Sequence, residues 1–313
     1  MSKAFVFPGQ GSQAVGMGQA LAEASSAARL VFEEVDDALS HNLTKIIFEG
    51  PEDELRLTEN AQPALMAVSM AIVRVLSEEG GIAIDDKAEF VAGHSLGEYS
   101  ALAAAGSLAL ADTARLLKLR GQSMQEAVPV GDGAMAALLG LDLNIAKEVA
   151  EEAAEGEVCD VGNDNAPGQV VLSGATTAIE RAVVIAKEKG ARRAVPLPVS
   201  APFHCTMLAP AAEVMEKALG DIDIAAPAPI LVANVTASSV QDPPNIRRQL
   251  VKQVTGMVRW RESVLYMKDQ GVDTLIELGA GNVLTGLTKR IDQELTGRSI
   301  QSPDDIEELL KDI

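Results

Sequence analysis

Gly93-His94-Ser95-Leu96-Gly97 is a G-x-S-x-G pentapeptide, and it gives Ser95 a clear means of doing chemistry. The apolar run Phe90-Val91-Ala92 leads in, and an Ala-rich segment, Glu98 to Leu108, leads out. Strand, tight turn flanked by glycines, then helix is the setting that exposes a nucleophilic serine hydroxyl. The new helix aims its positive end at negative charge developing there. Such a serine makes and breaks acyl bonds. Ser95-x-x-Glu98 also fits a capping box, in which the serine would only satisfy the first helical turn.

A serine hydroxyl needs a base, and histidine is the usual one because it titrates near working pH. The chain has three histidines. His94 adjoins Ser95, so in a sharp turn it points elsewhere and is assigned to packing or turn hydrogen bonding. His41, in Leu39-Ser40-His41-Asn42, reads as an exposed cap between helices. His204 lies in the proline-punctuated stretch Pro198 to Cys205, a loop at a domain junction from which a base can reach across a cleft. The competing reading is a histidine that caps the following helix. Its second nitrogen needs an orienting group: an aspartate, with Asp160 and Asp164 earlier in the chain, or a carbonyl. The N–H of Leu96, next after the nucleophile, is one oxyanion-hole donor, and the loop Pro8-Gly9-Gln10-Gly11-Ser12 is the source of the second.

Arg120 bears on specificity. On the helix expected from Asp112 to Ala127, one face carries Leu116, Leu117, Arg120, Met124 and Ala127, and the other Arg115, Lys118, Gln122 and Gln125. Arg120 thus falls on the apolar stripe. A buried guanidinium is costly unless paired, and it pairs bidentately with a carboxylate. That carboxylate belongs either to a protein glutamate or to the substrate.

The elements that must position these groups alternate in type. A strand over Lys3 to Phe7 precedes several helices up to Glu79. A strand over Glu89 to Ala92 precedes the Ser95 turn, and helices continue to Ala127. Val128 to Gly133 is a turn-rich linker. Strands Ala134 to Leu139, Val158 to Gly162, Gln169 to Ser173 and Arg193 to Leu197, with helices Asn144 to Ala154 and Thr177 to Lys189, form a β-α-β-β-α-β series, the ferredoxin-like pattern. The chain therefore divides into a large unit, 1–129 plus 198–313, and a small inserted unit, 130–197, with a cleft between them as the place for a ligand. The large unit resumes with helix Cys205 to Leu219, strand Ile230 to Val232, helix Arg261 to Lys268, strand Thr274 to Leu278, helix Asn282 to Ile291, and a peripheral acidic helix from Pro303.

Composition narrows the partners. A net charge of -19 argues against nucleic acid and anionic membrane. Any acidic partner would have to dock on a basic doublet such as Arg192-Arg193, Arg247-Arg248 or Lys289-Arg290. No apolar run approaches the ~20 residues of a membrane span. The N-terminal apolar run is too short for a signal peptide. Cys159 and Cys205, the only two cysteines, cannot form a disulfide framework or a four-ligand zinc site. A cytoplasmic protein, monomeric on a self-contained core, is expected.

Gly93-His94-Ser95-Leu96-Gly97-Glu98-Tyr99 occurs with Phe7-Pro8-Gly9-Gln10-Gly11-Ser12-Gln13, Gln62-Pro63-Ala64, Arg120-Gly121, Asn165-Ala166-Pro167-Gly168-Gln169, Phe203-His204 and Glu277-Leu278-Gly279. In that order, from Phe5 to about Arg290, the chain resembles the malonyl-CoA:acyl carrier protein transacylases. The resemblance implies an α/β-hydrolase-like core with a parallel sheet and a ferredoxin-like subdomain. It implies Ser95 as nucleophile, His204 as base, a carbonyl in the Gln253 region as the partner of His204, and the N–H groups of Gln10 and Leu96 as oxyanion hole. Arg120 would clamp a malonyl carboxylate, Gln62, Met124 and Phe203 would contact the acyl group, and the Phe203 ring would crowd an α-methyl substituent. Malonyl-CoA and acyl carrier protein would be the partners, with no metal or redox cofactor. Thr255-Gly256-Met257-Val258 lacks a proline common before the valine, and Ala280 replaces one in the turn after Glu277. A serine thioesterase or esterase on the same core, and a non-enzymatic acyl-binding protein, are the rival readings.

Overall fold

The computed structural model describes residues 2–313. Strand β1 (Ser2–Phe7) is followed by helices α1 (Gln19–Ala24), α2 (Ser26–Leu39), α3 (Leu43–Glu49), α4 (Glu52–Arg56), α5 (Thr58–Glu78) and α6 (Ile84–Lys87). Next come β2 (Phe90–Gly93), α7 (Gly97–Ala104) and α8 (Leu110–Ala127). The middle of the chain holds β3 (Gly133–Leu139), α9 (Leu143–Ala154), β4 (Cys159–Ala166), β5 (Gln169–Ala175), α10 (Thr176–Glu188) and β6 (Arg193–Pro196). A 3-10 turn (Thr206–Leu208) leads to α11 (Ala209–Gly220), β7 (Ile230–Ala233), β8 (Ser238–Val240), α12 (Pro243–Thr255), α13 (Trp260–Asp269), β9 (Val272–Leu278), α14 (Val283–Ile291), β10 (Thr296–Ile300) and α15 (Pro303–Asp312).

The larger sheet has strand order β10-β9-β1-β2-β7-β8, parallel except for β8. Its central strands read as unbroken apolar runs because both faces are covered. Phe5, Phe7, Val91, Leu231 and Ile276 pack into one apolar cluster with α2, α5, α7 and α8. Ala4, Val6, Phe90, Ala92 and Val232, pointing the other way, pack on Trp260, Val264 and Met267 of α13 and Leu284 and Leu287 of α14. The loops after β1, β2, β7 and β9 all leave at the carboxyl edge, where open α/β sheets bind ligands.

The second sheet, order β4-β5-β3-β6, is antiparallel. Ala136, Leu138 and Leu172 face α9 and α10, while Met135 and Val171 join the core cluster that contains Phe203. β4 is stitched to the loop before α13: the Asp164 N–H donates to the Val258 carbonyl, and the Val258 N–H to the Gly162 carbonyl, both at 2.9 Å.

Some elements depart from the sequence pattern. The helix after Ser95 stops at Ala104, because Gly106 takes a φ of 68° and turns the chain. The helix expected from Cys205 is a 3-10 turn until Ala209. The acidic segment from Pro303 is not merely peripheral, since α15 buries Ile306 and Leu309. Strands β8 and β10 and helices α6 and α12 were not anticipated. α12 matters most, because it carries Gln253.

Candidate active site

The turn after β2 is a strained elbow. Ser95 itself takes φ 55°, a left-handed conformation that costs a side-chain-bearing residue energy. The flanking glycines are required for close approach. A Cβ on Gly93 would lie 1.9 Å from the Gly97 carbonyl carbon, and one on Gly97 would lie 2.3 Å from the Phe7 carbonyl oxygen. The capping-box reading of Ser95 and Glu98 does not hold. Helix α7 has no side-chain cap, and the buried Glu98 carboxylate instead accepts the Asn234 N–H at 3.0 Å and the Gln253 amide Nε2 at 2.7 Å. The Ser95 hydroxyl is left free for other partners.

Those partners are His204 and Arg120. Ser95 Oγ lies 2.8 Å from His204 Nε2 and accepts from Arg120 Nη2 at 3.2 Å. His204, also at a positive φ of 61°, is buried at 3% exposure. Its Nδ1 donates to the Gln253 carbonyl at 2.8 Å, which leaves the Nε2 lone pair to accept the serine proton. Burial, helped by the Arg120 cation, pushes the imidazolium down to about 3, so the ring is neutral at ordinary pH. The orienting group is a backbone carbonyl, and neither aspartate takes part. Asp160 accepts from the Thr206 N–H and hydroxyl, and Asp164 pairs with Arg261 at 2.8 Å.

Arg120 is 1% exposed. Gly121 makes this burial achievable: a Cβ there would sit 2.5 Å from the Glu59 Cα, so α8 lies directly against α5. Arg120 Nη1 donates to Gln62 Oε1 and Nη2 to Gln253 Oε1, each at 2.8 Å. The guanidinium stands 5.6 Å over the Tyr99 ring. Among the described residues no carboxylate comes within salt-bridge distance of it, and its Nε has no partner. A direct protein glutamate partner is therefore absent. Burial also lowers the Arg120 pKa, with Tyr99 and Glu98 opposing. Met124, buried one turn further on α8, lies 3.8 Å through its sulfur from Gln62 Nε2. Phe203 is 9% exposed and packs into the core from the loop that presents His204.

The remaining expected residues fall nearby or elsewhere. Gly9 passes so close to His94 that a Cβ would sit 2.8 Å from the His94 carbonyl oxygen, which holds the Pro8-Gly9-Gln10 loop against the elbow. The N–H groups of Gln10 and Leu96 make no hydrogen bond among the described residues. His94 turns away from Ser95: its Nε2 meets Asn165 Oδ1 at 2.8 Å and its ring lies beside Trp260. His41 is exposed, but the cap of α3 is its neighbour Asn42, whose Oδ1 accepts the Lys45 N–H. Among the described residues no group of three His, Cys, Asp or Glu side chains is arranged to hold a metal ion.

Sequence reasoning missed Asn234. Its Oδ1 accepts the Ser95 N–H at 2.8 Å and its Nδ2 donates to the Gly93 carbonyl at 2.7 Å. The available signal was a polar residue immediately after the apolar run Ile230 to Ala233, at the carboxyl end of a parallel strand. Helix α12 also carried a signal that went unread. Asp242-Pro243-Pro244 is an N-cap followed by prolines of the first turn, and Ile246, Leu250 and Val254 recur at helical spacing.

A family model for the acyl transferase domain matches residues 4–300. The chain belongs to the acyl transferase family. This acyl transferase is 47% identical over 300 residues to the malonyl CoA-acyl carrier protein transacylase of Escherichia coli (strain K12), covering 96% of each chain. Its fold matches a crystal structure of acyl-carrier-protein-S-malonyltransferase from Bartonella henselae with a TM-score of 0.97 and 54% identity, over 99% of each chain. A type II PKS acyl-carrier protein in complex with its malonyl-transacylase matches with a TM-score of 0.96 and 43% identity, over 100% of each chain.

Proposed function

We propose that this acyl transferase moves the malonyl group of malonyl-CoA to the phosphopantetheine thiol of acyl carrier protein through a malonyl-serine at Ser95. The observation that carries the reading is a buried guanidinium without a protein carboxylate, 3.2 Å from a hydroxyl that is itself 2.8 Å from a neutral imidazole. Such a cation has reason to be there if the acyl group brings the carboxylate. The names of the relatives support the same substrate and acceptor.

In this mechanism the Ser95 oxygen attacks the thioester carbonyl while His204 Nε2 takes its proton. The N–H groups of Gln10 and Leu96 receive the oxyanion, and the α7 N-terminus adds its dipole. His204 returns the proton to the departing coenzyme A sulfur. The carrier thiol then attacks the ester by the reverse path, giving a ping-pong cycle. Arg120, held by Gln62 and Gln253, grips the malonyl carboxylate. Met124 and Phe203 bound the acyl pocket, and the Phe203 ring disfavours an α-methyl group.

The finer fold assignment belongs to the same proposal. The parallel sheet with its nucleophile elbow supports an α/β-hydrolase-like core over 1–129 and 198–313. The separate four-stranded sheet with its own apolar cluster supports a ferredoxin-like unit over 130–197. A monomeric, cytoplasmic enzyme without metal or redox cofactor completes the reading. Among the described residues no helix is long and apolar enough to cross a membrane.

Intact-protein mass spectrometry after mixing with malonyl-CoA, then with carrier protein, tests it. The malonyl mass should appear, move to the carrier, and be absent in Ser95→Ala. Rapid release of free malonate without any thiol acceptor would favour a hydrolase instead.

A further inference from the structure

Gln253 separates Arg120 from a carboxylate. Its Nε2 donates to Glu98 Oε2 at 2.7 Å and to the Ser95 carbonyl at 3.0 Å, which forces its Oε1 toward Arg120 Nη2 at 2.8 Å. Glu98 is fully buried, and its Oε1 has no partner. The buried cation and the buried anion are thus joined through one amide. A direct ion pair would occupy the guanidinium with bonds to an ionised acceptor, whereas the amide oxygen is a neutral acceptor whose weaker bond a carboxylate can outcompete.

We propose that Glu98 is a positioning residue that serves as the relayed counter-charge of Arg120, and that it takes up a proton when the carboxylate of an acyl group occupies the guanidinium. The inference rests on the malonyl-transfer reading above. Two carboxylates near one buried cation cannot both remain charged without cost, and the one that keeps the direct bidentate contact stays ionised. Glu98 is the other. Its unpartnered Oε1 is free to carry the proton while Oε2 goes on accepting from Asn234 and Gln253. The charged group acting on Glu98 is Arg120 from α8; the Asn234 N–H, just past β7, and the Gln253 side-chain amide of α12 hydrogen-bond to it, and Tyr99, next on its own helix, is pushed up to about 12 by burial and stays neutral. Burial already raises Glu98 to about 7, so a second anion at Arg120 moves it through the working range.

The proton balance makes this measurable. Acylation itself is neutral, because the Ser95 proton leaves on the coenzyme A thiol. Any net uptake therefore comes from the protein.

The test mixes the protein with stoichiometric malonyl-CoA, without acceptor, in weakly buffered indicator dye at about pH 7.5, and counts malonyl-serine by intact mass. Between roughly half and one proton should be taken up per malonyl-serine formed. Acetyl-CoA, which brings no carboxylate, should give no uptake per acetyl-serine in the wild-type protein. Glu98→Gln, which preserves the acceptor contacts, should form malonyl-serine without uptake and discharge it to the carrier more slowly, with a lower KM for malonyl-CoA. Malonyl-serine formed by the wild type without uptake overturns the proposal and leaves the transfer reading standing. Failure to form malonyl-serine overturns the transfer reading itself. Equal uptake with acetyl-CoA shows that the proton does not answer the carboxylate, and also overturns the proposal.

Discussion

Asn234 Oδ1 accepts the backbone N–H of Ser95 at 2.8 Å, a contact that ties the end of β7 to the elbow after β2. The same amide donates to the Gly93 carbonyl, so one side chain bridges the two sides of His94 on the approach to Ser95, which is held at φ 55°. The surrounding structure over-determines this strained conformation, as the proposed nucleophile at a fixed position requires. Asn234→Ala leaves the part-buried Ser95 N–H and the buried Gly93 carbonyl without this partner. It should cost about 2 kcal/mol of stability and slow malonyl-serine formation more than it weakens malonyl-CoA binding. Denaturant unfolding and single-turnover mass spectrometry check both. An unchanged acylation rate would mean that the elbow holds itself.

Arg120→Ala should lower kcat/KM for malonyl transfer by roughly 2 kcal/mol or more, about thirtyfold, while sparing or raising acetyl transfer. Gln62 Oε1 and Gln253 Oε1 would lose their shared donor, so a stability loss should accompany it. Competition between malonyl-CoA and acetyl-CoA separates the two effects. An equal fall for both donors would make Arg120 a purely structural residue.

Because His204 is held near 3 rather than at the usual imidazole value, it stays in its base form throughout the mildly acidic range. The rate of malonyl-serine formation should therefore show no acid limb with a midpoint near about 6.5, the value of a free imidazole. A pH series of single-turnover rates, with stability monitored in parallel, decides this. A limb at the free value that persists in Glu98→Gln would mean that the imidazole is solvated during catalysis.

Glu98 sets an opposite dependence in stability. Its folded value is raised from 4.5 to about 7, so the folded chain binds more protons than the unfolded chain between those values. Its contribution is fully present below the unfolded value and is lost as pH rises through the folded one. Glu98→Gln stays neutral at every pH, so its stability relative to wild type should improve as pH rises through that window. Paired thermal melts across the range check the sign. A constant difference would place Glu98 at its ordinary carboxylate value.

Asp160→Asn and Asp164→Asn should leave transfer activity of the folded protein largely intact, because neither reaches His204. Asp164→Asn should be the less stable of the two, since it discharges the buried partner of Arg261. A loss of several thousandfold in kcat for either would point to a carboxylate orienting the base.

Local pattern determined a good deal. The strand-turn-helix around Ser95, the placement of Arg120 on the apolar stripe of α8, the alternation of the small unit and the assignment of His94 to packing were all legible, because each depends on neighbours within a few residues or on one helical or strand period. The loop of His204 made it a candidate base, and Gln253 entered only through a resemblance, since the helix that carries it went unread.

What the tertiary structure decided was partnership. The choice between Asp160, Asp164 and the Gln253 carbonyl, the diversion of Glu98 from a cap to a buried amide, the clamp by Asn234 and the absence of a carboxylate at Arg120 all join residues far apart in the chain. Their types are common and their spacing carries no period. The packing of α8 and α12 against the elbow determines which buried donor meets which buried acceptor, and burial in turn sets the charge state of each.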